Sequence, residues 1–164
     1  MQVDIVEASL SDNPIIRNLM QLYLYDLTEY EPIPLDSHGL FNYNYLDHYW
    51  VEKERFPFIF KVNDNLAGFS LINQHSNSGK HVDYSIAEFF ILKKYRLTGI
   101  SKQAAFYLFD KFRGTWEVAV GKENKPAQAF WRKIISDYTQ GSFECLSNGC
   151  GDWAGPIHRF DNSK

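Results

Sequence analysis

The chain has 164 residues, a net charge of −3, and 45% hydrophobic against 23% charged residues. That length and balance suit one soluble globular domain, residues 1–164, with room for a sizeable core. They exclude a general nucleic-acid binder, and no apolar stretch approaches transmembrane length.

Residues 2–7 read as a first strand, with no basic segment or long apolar run that would make them a leader. Asn13-Pro14 starts a helix over 14–29, whose inward face is Ile16, Leu19, Tyr23, Leu27 and Tyr30. Glu31-Pro32-Ile33-Pro34 ends it, and 35–55 is irregular with a short helix near 43–52. Residues 56–62 and 66–73 form a hairpin across Asn63-Asp64-Asn65. A polar loop, 74–80, leads into a long strand over 81–92. A helix over 100–112 follows, with Ile100, Ala104, Tyr107, Leu108 and Phe112 on one face, then a strand over 115–120 and a helix from Pro126 to about Ser136. The tail, 137–164, supplies one or two last strands.

The charges are unevenly spread. Residues 1–52 hold nine acids and a single base, Arg17, whereas no acid lies between Glu88 and Asp110. That acid-free stretch carries Lys93, Lys94, Arg96 and Lys102, so two ligands of opposite sign are expected. Cys145 and Cys150 fit neither a CxxC redox pair nor a zinc site and read as free thiols of a cytoplasmic protein. The five histidines show no ligand spacing, and no metal is expected.

Most of the chemistry lies in Phe89-Phe90-Ile91-Leu92-Lys93-Lys94-Tyr95-Arg96-Leu97-Thr98-Gly99-Ile100-Ser101-Lys102. Here an apolar strand enters a basic turn, and the turn opens a helix. Unpaired N–H groups and the positive end of the helix dipole make such a turn a phosphate site. It is neither a Walker loop nor a GxGxxG turn.

Arg96 and Gly99, with Ser101 in a place usually taken by Gly or Ala, resemble the cofactor motif of the GNAT superfamily of acyl-CoA-dependent N-acyltransferases. Asn124, Ala127 and Trp131 resemble a second motif of that superfamily in the following helix, and the element order matches over essentially the whole chain. The resemblance implies an α/β fold built on a mixed, mostly antiparallel sheet of about six or seven strands flanked by helices, with a βαβ crossover at the cofactor site. It implies an N-acetyltransferase that moves acetyl from acetyl-CoA directly to an amine, a small cationic one. No nucleophile elbow is seen that would suggest a covalent intermediate.

By the same resemblance, Phe89, Phe90 and Ile91 pair with the pantetheine arm, and a backbone N–H there serves the thioester carbonyl. Arg96, Leu97, Thr98, Gly99, Ile100, Ser101 and Lys102 bind the pyrophosphate, and Asn124 and Trp131 also face the cofactor. Glu88, in apolar surroundings, is the candidate base for the acceptor amine. Tyr25, Asp26 and Glu31 are candidates for holding that amine. Trp131 stands where many members carry an acidic Tyr, and indole cannot transfer a proton at neutral pH; Tyr138, Tyr95 or water would substitute, or the thiolate would leave unassisted. A protein or peptide acceptor, a catalytically degenerate CoA-binding module, and a homodimer are all compatible with the chain.

Overall fold

A computed structural model describes all residues, 1–164. Seven strands form one sheet: β1 (Asp4–Glu7), β2 (Phe56–Val62), β3 (Asn65–Asn73), β4 (Tyr84–Ile91), β5 (Thr115–Ala119), β6 (Glu144–Leu146) and β7 (Ile157–Asp161), in the spatial order β1-β2-β3-β4-β5-β7-β6. Three helices accompany it, α1 (Asn13–Leu27), α2 (Ile100–Lys111) and α3 (Lys125–Thr139). Every neighbouring pair is antiparallel except β4 and β5, which α2 connects as a crossover. No helix is long and apolar enough to cross a membrane.

Both faces of the sheet are covered, so its central strands are apolar on both sides. In β2, Phe58, Phe60 and Val62 join a cluster with α2 and α3 residues, while Ile59 joins the α1 cluster of Ile16, Leu19, Met20 and Leu24. The expected elements recur with shifts at their ends. β4 begins at Tyr84 rather than 81, and α3 runs on to Thr139. The expected short helix at 43–52 is a 3-10 turn, Leu46–Trp50. Tyr107 faces solvent instead of the core, and Ala105 and Phe109 take the buried positions of α2.

Two departures from regularity shape the site. The parallel pairing of β4 with β5 covers only Tyr84 with Trp116 and Ser85 with Glu117. From Ile86 onward the two strands diverge. In addition, Leu71 pairs with Glu88 while Ile72 pairs with Ile86, so Ala87 is an extra residue, a β-bulge. Strict alternation would put Ile86 and Glu88 on one face. With the bulge, Ile86 packs among the α2–α3 cluster, and Ala87 and Phe90 pack with the α1 cluster.

Candidate active site

Where β4 and β5 separate, a cleft of about 410 Å3 opens. Ser85 to Phe89 form one wall and Val118 to Gly121 the other; Tyr23, Tyr43 and Trp153 close it with aromatic faces. Two carboxylates line it, Glu31 and Glu88, and no lysine or arginine does. The loop between β3 and β4 contributes His75 and Asn77. That loop is fixed from below: Glu117 accepts from the N–H groups of Asn77 (2.6 Å) and Ser78 (3.1 Å), and Ser85 Oγ donates to His75 O at 2.6 Å. Glu117 itself is paired with the buried Arg159.

Glu88 is half-buried on the α1 side of β4. Tyr43 donates its hydroxyl to Glu88 Oε1 at 3.2 Å, and the Tyr23 phenol lies near the same carboxyl. Burial pushes the Glu88 carboxyl up to about 7, the two phenols pull it down, and the Glu31 carboxylate adds to the rise. A carboxylate poised near neutrality, accepting a phenolic hydrogen bond from Tyr43 and facing a cleft, is suited to accept a proton at physiological pH.

The basic turn between β4 and α2 is built on backbone donors. The N–H groups of six consecutive residues, Leu97 to Lys102, donate to no acceptor within the protein. Leu97 (φ +61°) and Gly99 (φ +89°) are both left-handed, which turns these groups toward one side, as in an anion nest. No Cβ clash explains glycine at 99; its positive φ does. The basic side chains are less free than the sequence suggests. Arg96 pairs with Asp26 and donates Nε to Ile91 O at 2.8 Å; Lys93 lies 3.5 Å from Asp26; Lys102 lies 3.0 Å from Asp137.

The remaining expected residues divide. Phe89 lines the cleft and packs edge-on against Trp131, ring centroids 5.0 Å apart, whereas Phe90 is buried against Tyr23 and Ile91 sits in the opposite cluster. Asn124 both lines the cleft and caps α3, its Oδ1 accepting from Ala127 N at 3.1 Å. Glu31 reaches the cleft; Tyr25 and Asp26 do not. Tyr25 projects into solvent from the outer face of α1, and Asp26 is engaged by Arg96 and Lys93. Neither substitute acid reaches it: Tyr95 is buried, and Tyr138 bonds Asp110 and Asn162 beside a separate surface pocket.

Sequence reasoning missed Tyr43 and Trp153, and took Tyr23 for core packing. Tyr23 does pack edge-on against Phe69, at 5.8 Å, while it also lines the cleft and lowers the Glu88 carboxyl. Helical spacing could have pointed to the first role only. Tyr43 lies in an irregular stretch, where no periodicity places it opposite β4.

Residues 17–135 match the profile of the Acetyltransferase (GNAT) family. The chain belongs to this family. No curated protein matches it in sequence. Among solved structures it is similar to an acetyltransferase from Thermus thermophilus (TM-score 0.68, 16% identity, 98% of this chain and 97% of that one). It is also similar to a GNAT-family acetyltransferase from Staphylococcus aureus (TM-score 0.61, 15% identity, 99% of each chain). A third is the PaiA N-acetyltransferase of Thermoplasma acidophilum, solved with coenzyme A (TM-score 0.58, 13% identity, 98% of this chain and 99% of that one). At such identities these likenesses show the GNAT fold. As a GNAT protein the chain is an acyltransferase that uses acetyl-CoA. The six unpaired N–H groups of the turn fit the cofactor's pyrophosphate, and the open edge of β4 beyond Ser85 fits an extended arm.

Proposed function

We propose that residues 1–164 act as one domain that transfers acetyl from acetyl-CoA directly to a small cationic amine, with Glu88 as the base. The observation that carries this reading is Glu88 itself, facing a cation-free cleft with its carboxyl near 7. The cofactor supplies an activated acetyl: the amine nitrogen forms the new C–N bond as the C–S bond breaks, and one proton is released overall.

This chain's residues do the rest. Leu97 to Lys102 hold the anionic end of the cofactor, and the edge of β4 from Phe89 to Ile91 orients its arm. Asn124 and Trp131 bound that arm from α3. An amine with a pKa near 10.4 is almost wholly protonated at neutral pH, so the Glu88 carboxylate takes its proton. Tyr23 and Tyr43 hold that carboxylate in place. No acidic Tyr stands at Trp131, and a thiolate of ordinary pKa near 8.5 is a fair leaving group that solvent can protonate. Both cysteines are free thiols, in keeping with a reducing cytoplasm.

The test is a free-thiol release assay over a panel of amines and peptides, preceded by a CoA titration on tryptophan fluorescence. Thiol release with small amines supports the proposal. CoA binding with no release from any acceptor refutes transfer, and release with peptides alone refutes the small acceptor.

A further inference from the structure

The acceptor cleft holds more negative charge than proton removal uses. Glu88 has one task in the proposed reaction, and once it has taken the proton it is neutral. The reacting nitrogen is neutral when it attacks. Neither partner of that pair keeps a charge for binding.

Glu31 is different. It follows α1 and lines the cleft beside Gly121, where a Cβ would come within 3.0 Å of its Oε1. It has no ion-pair partner, whereas Asp26, on the same helix end, is engaged by both Lys93 and Arg96. No lysine or arginine lines the cleft to neutralise it. Its field reaches both Glu88 and Tyr23, so it acts across the cleft and not only on bulk solvent. The faces of Tyr23, Tyr43 and Trp153 between the walls suit an alkyl chain and a cation's flank.

We infer that Glu31 is a specificity-determining residue that binds a second, unreactive ammonium of the acceptor, so that the preferred substrate is a diamine rather than a monoamine. This rests on the proposed amine transfer. The reacting nitrogen lies at Glu88 and the second cation at Glu31, with the aliphatic spacer against the aromatic walls. The carboxyl of Glu31 thus faces the one charge on the acceptor that survives the reaction.

The experiment compares kcat/KM for putrescine with that for n-butylamine, which has the same chain and one cation fewer. The native protein is expected to favour putrescine. Glu31→Gln is expected to lower the putrescine-to-butylamine ratio about fivefold, the weight of a solvent-accessible ion pair. Glu31→Lys is expected to invert it, with γ-aminobutyrate becoming the better acceptor. CoA titration of each variant establishes that it is folded. A native ratio near one, or a ratio unmoved by both substitutions, overturns the role of Glu31 while leaving amine transfer standing. Release with neither amine, in a protein that binds CoA, refutes the transfer itself and the inference with it.

Discussion

Replacing Glu88 by Gln tests the proton-removal role with two independent readouts. Glutamine keeps the size of the side chain and an oxygen that can accept from Tyr23 and Tyr43, so the cleft keeps its shape. A positioned base contributes about a hundredfold to ten-thousandfold. The expected fall in kcat is in that range, with CoA affinity unchanged because Glu88 points toward α1 and not toward the turn. The acceptor's own ionisation is common to native protein and variant, so the ratio of their rates isolates Glu88. That ratio should rise tenfold per pH unit up to about 7 and then level off. The other titratable groups near the carboxyl are Tyr23, Tyr43, Tyr49 and Glu31, and His75 lines the same cleft. A ratio near one, or one that does not change with pH, removes Glu88 from the mechanism.

Stability supplies the second readout. Burial raises the Glu88 carboxyl from 4.5 to about 7. Between those values the native protein keeps a proton that the unfolded chain has lost. The native state is therefore favoured below about 4.5, and that contribution is lost as pH rises through about 7. Crossing the whole window costs up to about 3 kcal/mol. Glutamine does not titrate, so Glu88→Gln should gain stability relative to the native protein between about pH 5 and about pH 8, by denaturant unfolding. A stability difference that stays constant with pH contradicts the burial argument, whatever the activity does.

Three further outcomes follow from the same geometry. Tyr43→Phe removes a donor that lowers the Glu88 carboxyl, so the acid limb of the rate profile should move to higher pH; a shift to lower pH would refute the assigned hydrogen bond. Asp26→Asn frees Arg96 and Lys93 beside the cofactor turn. It should tighten CoA binding about threefold to tenfold at low salt, less at high salt; weaker binding would mean that Asp26 positions Arg96 for the anion. Gly68→Ala would put a Cβ 1.9 Å from Phe90 O, between β3 and β4. Denaturant unfolding should show a loss of about 3 kcal/mol or more, and a loss near zero would refute the close strand approach.

The elements were legible because their signals are local. The Pro14 start of α1, the Ile16 and Leu19 of its apolar face, and the hairpin at Asn63-Asp64-Asn65 need only spacing and turn chemistry. The cofactor turn was legible for the same reason: strand, turn and helix are consecutive in the chain. The acceptor side was not, because it is assembled from residues distant in sequence. Tyr23, Tyr43 and Glu88 meet through a bulge at Ala87 that alternation does not reveal. Charge counting also misled. Asp26 was expected to hold an amine, yet it pairs with Arg96, which the sequence assigned to phosphate, and lies within reach of Lys93 as well. An ion pair between residues 26 and 96 is a tertiary fact with no local signature.

The apex of the cleft shows why the separation of β4 and β5 is a fixed feature rather than a frayed sheet. The last paired residues are Ser85 and Glu117, and both are buried. Burying a carboxylate there is costly unless it is fully partnered. Glu117 is partnered by Arg159, two backbone N–H groups and Ser78 Oγ, while Ser85 is spent on His75 O. Arg159 in turn donates to His81 O at 2.8 Å. Those groups belong to β4, β5, β7 and the loop between β3 and β4, so the network ties four segments at the point where β4 and β5 part. Removing Glu117 or Arg159 alone would strand a buried charge, at about 3–5 kcal/mol. The rigid apex keeps Ile86 to Phe89 at a set distance from Val118 to Gly121. On the proposed reading, this polar cluster sets the spacing at which the arm of the cofactor would meet the carboxylate of Glu88.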